Sequence, residues 1–157
     1  MDSTKRIALI AIGLFLGTVM VVLLVLRGGS LWTSDEAATR LALSDCDLQQ
    51  RACSASLPGG GSISLAFEPR PVHPMQDFSL RLETDGVMVE KAIISFTGVD
   101  MNMGLNRFAL KPEGESLSGQ AILPICVRNR MEWEALLRVS TPQGVFDAPF
   151  RFVTSKQ

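Results

Sequence analysis

The sequence predicts an all-β domain, a seven-stranded immunoglobulin-like antiparallel sandwich, preceded by one N-terminal transmembrane helix. The first observation behind this is a run of uncharged residues, 7–26, in a chain of 157 residues. The second is a series of short segments after residue 61 in which apolar and polar residues alternate, the pattern of strands buried on one face. Turn residues separate these segments, as in a sandwich, and a small barrel is the alternative.

The uncharged run is long enough to cross a bilayer, because a helix rising about 1.5 Å per residue spans about 30 Å over this length. Lys5 and Arg6 precede the run and Arg27 alone follows it. Positive charge tends to stay in the cytoplasm, so we expect residues 1–6 to be a cytoplasmic tail and residues 7–27 a single-pass anchor. A cleaved signal peptide is the alternative, although its apolar region is usually shorter.

Residues 28–61 are predicted to be a tether that leads to the strand-rich domain, residues 62–157. The Ser-Asp-Glu sequence at 34–36 is typical of a helix cap and predicts a short helix over 37–43. Six residues separate Cys46 from Cys53, and outside the cytoplasm such a pair is expected to form a disulfide. Two free thiols or two metal ligands are the alternatives. Cys126 is then left unpaired.

Seven segments carry the strand pattern, and turn residues at 84–86, 112–114 and 142–144 separate several of them. The first two alternate strictly, and the third is denser in apolar residues, as expected for a central strand. Trp133 is predicted to lie in the core, and Pro149 indicates an edge position or a bulge. The segments are residues 62–68, 78–83, 89–99, 106–111, 116–125, 133–140 and 145–153.

Composition and motifs exclude several functions. Three of the 15 Lys and Arg residues and one of the 16 Asp and Glu residues precede residue 28. The rest of the chain therefore has 12 basic and 15 acidic residues and no basic run. This disfavours nucleic-acid binding. There is one histidine, His73, and no phosphate-binding, nucleotide-binding or nucleophile-elbow motif, so we expect no enzyme. A Cys126–His73 nucleophile pair, or a redox protein that uses the Cys46–Cys53 pair, is the alternative.

Sulfur-containing side chains concentrate near two predicted strand ends. Met101 and Met103 follow the third strand, and two residues apart they face the same side of an extended chain. Cys126 follows the fifth strand, and Met131 comes five residues later. If their loops share an end of the sandwich, three thioethers and a thiol meet there. Soft sulfur ligands select Cu(I), so we predict a copper site, whereas the alternative is that these residues fill the core.

Two further groups lie near this predicted site. His73, flanked by prolines, adds an imidazole to the candidate ligands, although a histidine in such a loop is more often only exposed to solvent. Arg107, Arg128 and Arg130 offer a surface for an anion or an acidic partner, and the alternative is a solvated rim.

With these features the chain resembles the FixH/YtkA-like proteins and, more loosely, the periplasmic copper chaperones of the CopC type. The resemblance lies in the short tail, the anchor and the methionine-rich sandwich, and it is carried by residues 71–82, 93–103 and 123–133. It implies a bacterial inner-membrane protein, with its C-terminal domain in the periplasm and a protein partner at the membrane, that handles copper or assists oxidase assembly. The N-terminal histidine ligand of CopC-type Cu(II) sites is missing, which favours Cu(I). A protein-interaction subunit without metal is the second hypothesis.

Overall fold

The computed structural model describes residues 12–23, 37–104 and 106–155, and the chain divides into two units, Met1–Glu36 and Ala37–Gln157. In the first unit residues 12–23 form a helix whose large apolar side chains are exposed. No helix among the described residues has both the length and the apolar character needed to cross a membrane. The predicted tail (1–6), the remaining parts of the predicted anchor (7–11 and 24–27) and the start of the predicted tether (28–36) lie outside the described residues.

The second unit is built from strands, which confirms the all-β prediction. Its described part contains nine strands rather than seven, because two short strands, β1 and β2, lie in residues assigned to the tether. The other seven each overlap one of the predicted segments. The strands are β1 (Thr39–Arg40), β2 (Cys53–Ser56), β3 (Ser62–Glu68), β4 (Asp77–Asp85), β5 (Lys91–Gly98), β6 (Asn106–Glu113), β7 (Ser116–Ile122), β8 (Arg130–Thr141) and β9 (Gly144–Ser155).

The strands are hydrogen-bonded in the order β1-β9-β8-β5-β6-β7-β4-β3-β2. Strand β6 joins two halves of this sheet, since its residues 106–110 pair with β5 and its residues 111–113 pair with β7. A strand that changes partners in this way turns the corner between two packed layers. The fold is therefore sandwich-like.

Aromatic rings from both halves meet in the core, which places the two layers face to face. Phe67 of β3 lies 5.2 Å from Phe152 of β9, and Phe78 of β4 lies 5.9 Å from Phe96 of β5, measured between ring centroids. Both contacts are edge-to-face, an arrangement that aromatic pairs prefer. The strands are oriented as the period-two pattern predicts, with apolar side chains facing the core and polar side chains facing outward. Trp133 is fully buried, as predicted.

The first residues of the second unit lie along the outer edge of β9. Strand β1 pairs with β9 in parallel, and the amides of Leu41 and Ser44 donate to the carbonyls of Asp147 and Pro149. Pro149 has no amide hydrogen to donate, and a proline fits this strand because its outer neighbour is so short. The predicted helix over 37–43 is therefore wrong, because this segment is extended along β9.

Candidate functional site

Three loops come together at one end of the second unit, which we call the loop end. The register places Gly98, the last residue of β5, opposite Trp133 near the start of β8. In the other layer, Ile122 at the end of β7 pairs with Asp77 at the start of β4. The loops that begin or end at these positions comprise residues 69–76, 99–104 and 123–129.

The predicted disulfide is present, and the third cysteine is free. Cys46 and Cys53 are bonded, and Cys126 is a buried free thiol. Cys126 precedes β8 and is only 6% exposed, although its neighbour Val127 is 85% exposed. The thiol therefore lies just beneath the surface of the loop end.

The loops bring the Cys126 thiol against a methionine of another loop. The thiol donates to the Met101 thioether, with Sγ and Sδ 3.7 Å apart. The backbone N–H of Arg128 in turn donates to the Cys126 sulfur over 3.5 Å. The predicted convergence of residues 101–104 and 126–131 at one end is thus what the structure contains.

Gly98 provides the space into which the other two methionines pack. A Cβ atom added to Gly98 would overlap the terminal methyl of Met131 and the carbonyl oxygen of Met101, and would lie 3.3 Å from Met103 Cγ. Met131 is 4% exposed, and Met101 and Met103 are half-buried against the core. Three methionines therefore surround one glycine at the end of β5.

A small cavity adjoins the thiol. Its free volume is about 10 Å³, roughly the space that one water molecule needs. Trp133, which lines it, is fixed by a buried hydrogen bond of 3.0 Å from its indole N–H to the Thr154 hydroxyl. The lining residues are Pro74, Pro124, Cys126, Arg128, Asn129, Met131, Trp133 and Thr154.

His73 lies in the loop that borders this cavity. The following residue, Pro74, contributes to the cavity wall, and Met75 donates its backbone N–H to the carbonyl of Leu123 over 2.9 Å. The His73 side chain is half-buried, and Met75 is exposed. The structure thus brings the loop of His73 to the predicted site.

Side-chain hydrogen bonds from the disulfide-closed turn hold the His73 loop in place. The Gln49 amide accepts from the backbone N–H of Val72 over 2.7 Å and donates to the carbonyls of Val72 and Val153. One side chain therefore connects the turn, the His73 loop and the last strand. Nothing in the sequence around Gln49 distinguishes it from the other polar residues of this stretch.

An ion pair crosses between the two sulfur-bearing loops. Arg128 lies 3.9 Å from Asp100, and both side chains are more than half exposed. Asp100 directly precedes Met101, and Arg128 comes two residues after Cys126. Because exposed ion pairs contribute little to stability, this contact adds little to the stability of the two loops.

The sulfur separation suits a shared metal ion. Two sulfur ligands at about 2.3 Å from one ion, at a tetrahedral angle, are about 3.8 Å apart. The Cys126–Met101 distance of 3.7 Å agrees with this value, and it equally suits a thiol–thioether hydrogen bond in a packed core. Within the described ranges no group of three or more His, Cys, Asp and Glu side chains is placed to hold a metal ion.

Reasoning from the sequence does not single out Gly98 or Thr154, although both shape this region. A glycine at the end of a strand-like segment is a weak indication of close approach by other groups. A threonine on the last strand carries no signal that it will pair with a tryptophan twenty-one residues earlier.

No protein-family model and no curated protein matches this chain.

Proposed function

We propose that this protein is a membrane-anchored periplasmic domain that binds or delivers Cu(I), with Cys126 and Met101 as the central ligands and Met131 and Met103 as further ligands. The observation that carries the proposal is the 3.7 Å contact between Cys126 Sγ and Met101 Sδ at an end where two other methionines also pack. Sulfur ligands of this kind prefer Cu(I) to hard ions.

Each group has a defined part in binding. The Cys126 thiol loses its proton when it binds a metal ion and supplies one negative charge. The thioethers are neutral donors, and the Arg128 N–H stabilises the sulfur to which it donates. Burial of the thiol beside Trp133 limits access of water to the bound ion, a role that the apolar shell around metal sites generally has. His73 is a further candidate, because its loop borders the same cavity.

Two observations support the proposed location. Residues 12–23 form a helix with exposed apolar side chains, as expected of part of an anchor. The Cys46–Cys53 disulfide is typical of a compartment outside the cytoplasm. We propose that strands β3 to β9 correspond to an immunoglobulin-like sandwich and that, as in the FixH/YtkA-like proteins the chain resembles, the copper serves oxidase assembly at a bacterial inner membrane.

The test is a Cu(I) titration of the full-length chain in detergent, under reducing conditions, against a chromophoric Cu(I) chelator. We expect one ion to bind tightly to the wild type, and Cys126→Ser to lose at least tenfold in affinity, about 1.4 kcal/mol. Met101→Leu should show an intermediate loss. Met88→Leu is the matched control, because Met88 is an exposed methionine between β4 and β5, away from the loop end. Equal binding by wild type and Cys126→Ser would refute the proposal.

A second candidate function is a protein-interaction subunit in which the cysteine and methionines only fill the core. Exposed apolar side chains at the loop end favour it: Ile122, Ile125 and Val127 are 38%, 58% and 85% exposed. This function predicts that Cys126 reacts with thiol reagents only after unfolding, and that Cu(I) gives no protection from them. Purification of the full-length chain from its native membrane would then yield a stable complex.

A further inference from the structure

The charges around the Cys126 thiol are few and unbalanced. Among the described residues that line the cavity, Cys126 is the only one whose side chain can become negative, and Arg128 is the only one whose side chain is permanently charged. The Arg128 side chain pairs with Asp100, which does not line the cavity, and both side chains are more than half exposed. An ion bound to the Cys126 sulfur would therefore meet one thiolate, the neutral thioether of Met131 in the cavity wall and one neighbouring arginine. The neutral thioether of Met101 lies 3.7 Å from the same sulfur.

This charge count distinguishes monovalent from divalent ions. A monovalent cation bound to one thiolate forms a neutral pair, and burying a neutral pair costs little free energy. A divalent cation leaves one uncompensated positive charge in a small apolar cavity, and an unpaired buried charge is strongly unfavourable. Softness alone does not discriminate in this way, because thiolates also bind Zn²⁺ tightly where several negative ligands are available.

We infer that the loop-end cavity selects monovalent soft cations, and that Arg128 is a specificity-determining residue that disfavours divalent ions through its charge. The inference rests on the proposed function, because it concerns the same thiol and thioethers. Electrostatic energy is proportional to the charge of the bound ion. Removing the Arg128 charge should therefore change the logarithm of the affinity twice as much for a divalent as for a monovalent ion.

The size of the effect follows from Coulomb's law. At an effective dielectric constant of about 20, two unit charges separated by about 7–10 Å change a binding constant by about 15- to 50-fold. Arg128 is half exposed and pairs with Asp100, so water and the carboxylate reduce this value. We expect Arg128→Gln to strengthen Zn²⁺ binding by about tenfold and Ag⁺ binding by about threefold.

The experiment measures Ag⁺ and Zn²⁺ binding to the full-length chain in detergent by competition with metal-specific chelators. Wild-type protein should bind Ag⁺, a redox-stable substitute for Cu(I), at least 1,000-fold more tightly than Zn²⁺. Arg130→Gln is the matched control, since Arg130 is a nearby exposed arginine that does not line the cavity. It should change both affinities by less than twofold.

Asp100→Asn separates the effect of charge from that of loop structure. It breaks the same ion pair as Arg128→Gln but leaves the guanidinium without its counter-charge, so Zn²⁺ binding should weaken instead of strengthen. Equal changes for both ions in Arg128→Gln, or a change of the same sign in Asp100→Asn, would overturn the role of Arg128. Zn²⁺ binding comparable to Ag⁺ binding in the wild type would overturn the monovalent selectivity while leaving the proposed metal site intact. Failure of the wild type to bind either Ag⁺ or Cu(I) would overturn the proposed function itself, and the selectivity with it.

Discussion

Substitution of Gly98 by alanine should disturb the sulfur cluster formed by Cys126, Met101, Met103 and Met131. The added Cβ would lie closer than 3.0 Å both to the Met131 methyl and to the Met101 carbonyl oxygen. The Met131 methyl ends a flexible side chain and is able to move at a cost of about 0.5–1.5 kcal/mol. The Met101 carbonyl belongs to the backbone, so the loop that carries the thioether must shift as well.

The expected cost follows from these two contacts. Inserting a methyl group into a packed site typically costs about 1–3 kcal/mol, and here both a rotamer and a loop have to change, so we expect about 2–3 kcal/mol. Because the same shift displaces two of the proposed ligands, Met101 and Met131, Cu(I) affinity should fall by about 10- to 100-fold, equivalent to about 1.4–2.7 kcal/mol.

Urea denaturation of the full-length chain in detergent measures the stability change. Trp133 is buried in the second unit and reports its unfolding once the other tryptophan is replaced in a Trp32→Phe background. Gly104→Ala is the control, since Gly104 lies in the same region with no atom within 4 Å of the added Cβ, but with φ of +77°. It should cost about 1 kcal/mol from backbone strain alone.

The two glycine variants should also differ in metal binding. Gly104→Ala leaves the space beside Met131 unchanged, so its Cu(I) affinity should stay within about threefold of wild type. If Gly98→Ala unfolds within 0.5 kcal/mol of wild type and binds Cu(I) equally well, the packing described for the three methionines is wrong.

Three other substitutions test the framework around the site by urea denaturation. Gln49→Met removes the three hydrogen bonds to Val72 and Val153. It should lower the free energy of unfolding by about 2–4 kcal/mol and speed hydrogen exchange at the Val72 amide. A loss below about 0.5 kcal/mol would contradict the bridging role. Replacing both Cys46 and Cys53 by serine opens a short loop and should cost about 2.5 kcal/mol, whereas unchanged stability would mean that the bond does not constrain the unfolded chain. Asp147→Asn disrupts a two-point contact with Arg138 in which the carboxylate is 10% exposed, and should lower the free energy of unfolding by about 1–2 kcal/mol. The exposed pair of Glu132 and Arg151 is the control, and Glu132→Gln should cost less than about 0.5 kcal/mol.

The alternation of apolar and polar residues along the chain was sufficient to predict the main strands, because each strand has one face in the core. In β3, for example, Ile63, Leu65 and Phe67 are fully buried and the residues between them are more exposed. The free thiol and the disulfide were also predictable, because pairing the two close cysteines leaves only Cys126.

The remaining parts depend on tertiary pairing that leaves no local pattern. Strand β1 has two residues, and it is extended because the edge of β9 offers carbonyl acceptors to Leu41 and Ser44. A local helix signal at 34–36 does not outweigh those bonds. Strand β2 is extended because it pairs along its whole length with β3, from Cys53 opposite Leu65 to Ser56 opposite Ser62.

The site itself was predictable only in its chemistry. Residue types indicated sulfur ligands, and the rule that sandwich loops cluster at the ends indicated a shared location. Which methionine contacts Cys126 depends on the conformation of the loop after β5, and the sequence carries no signal for it. The space that Gly98 leaves for Met131 and Met103 likewise depends on three separate segments meeting.

X-ray absorption at the copper edge, on the full-length chain loaded with one equivalent of Cu(I), identifies the atoms that bind the ion. We expect a first shell of two to four sulfur atoms at about 2.3 Å in the wild type, with at most one nitrogen, from His73, and one sulfur fewer in Cys126→Ser. A first shell made mainly of nitrogen and oxygen, unchanged in Cys126→Ser, would show that Cu(I) binds elsewhere and that the sulfur cluster at the loop end is part of the core.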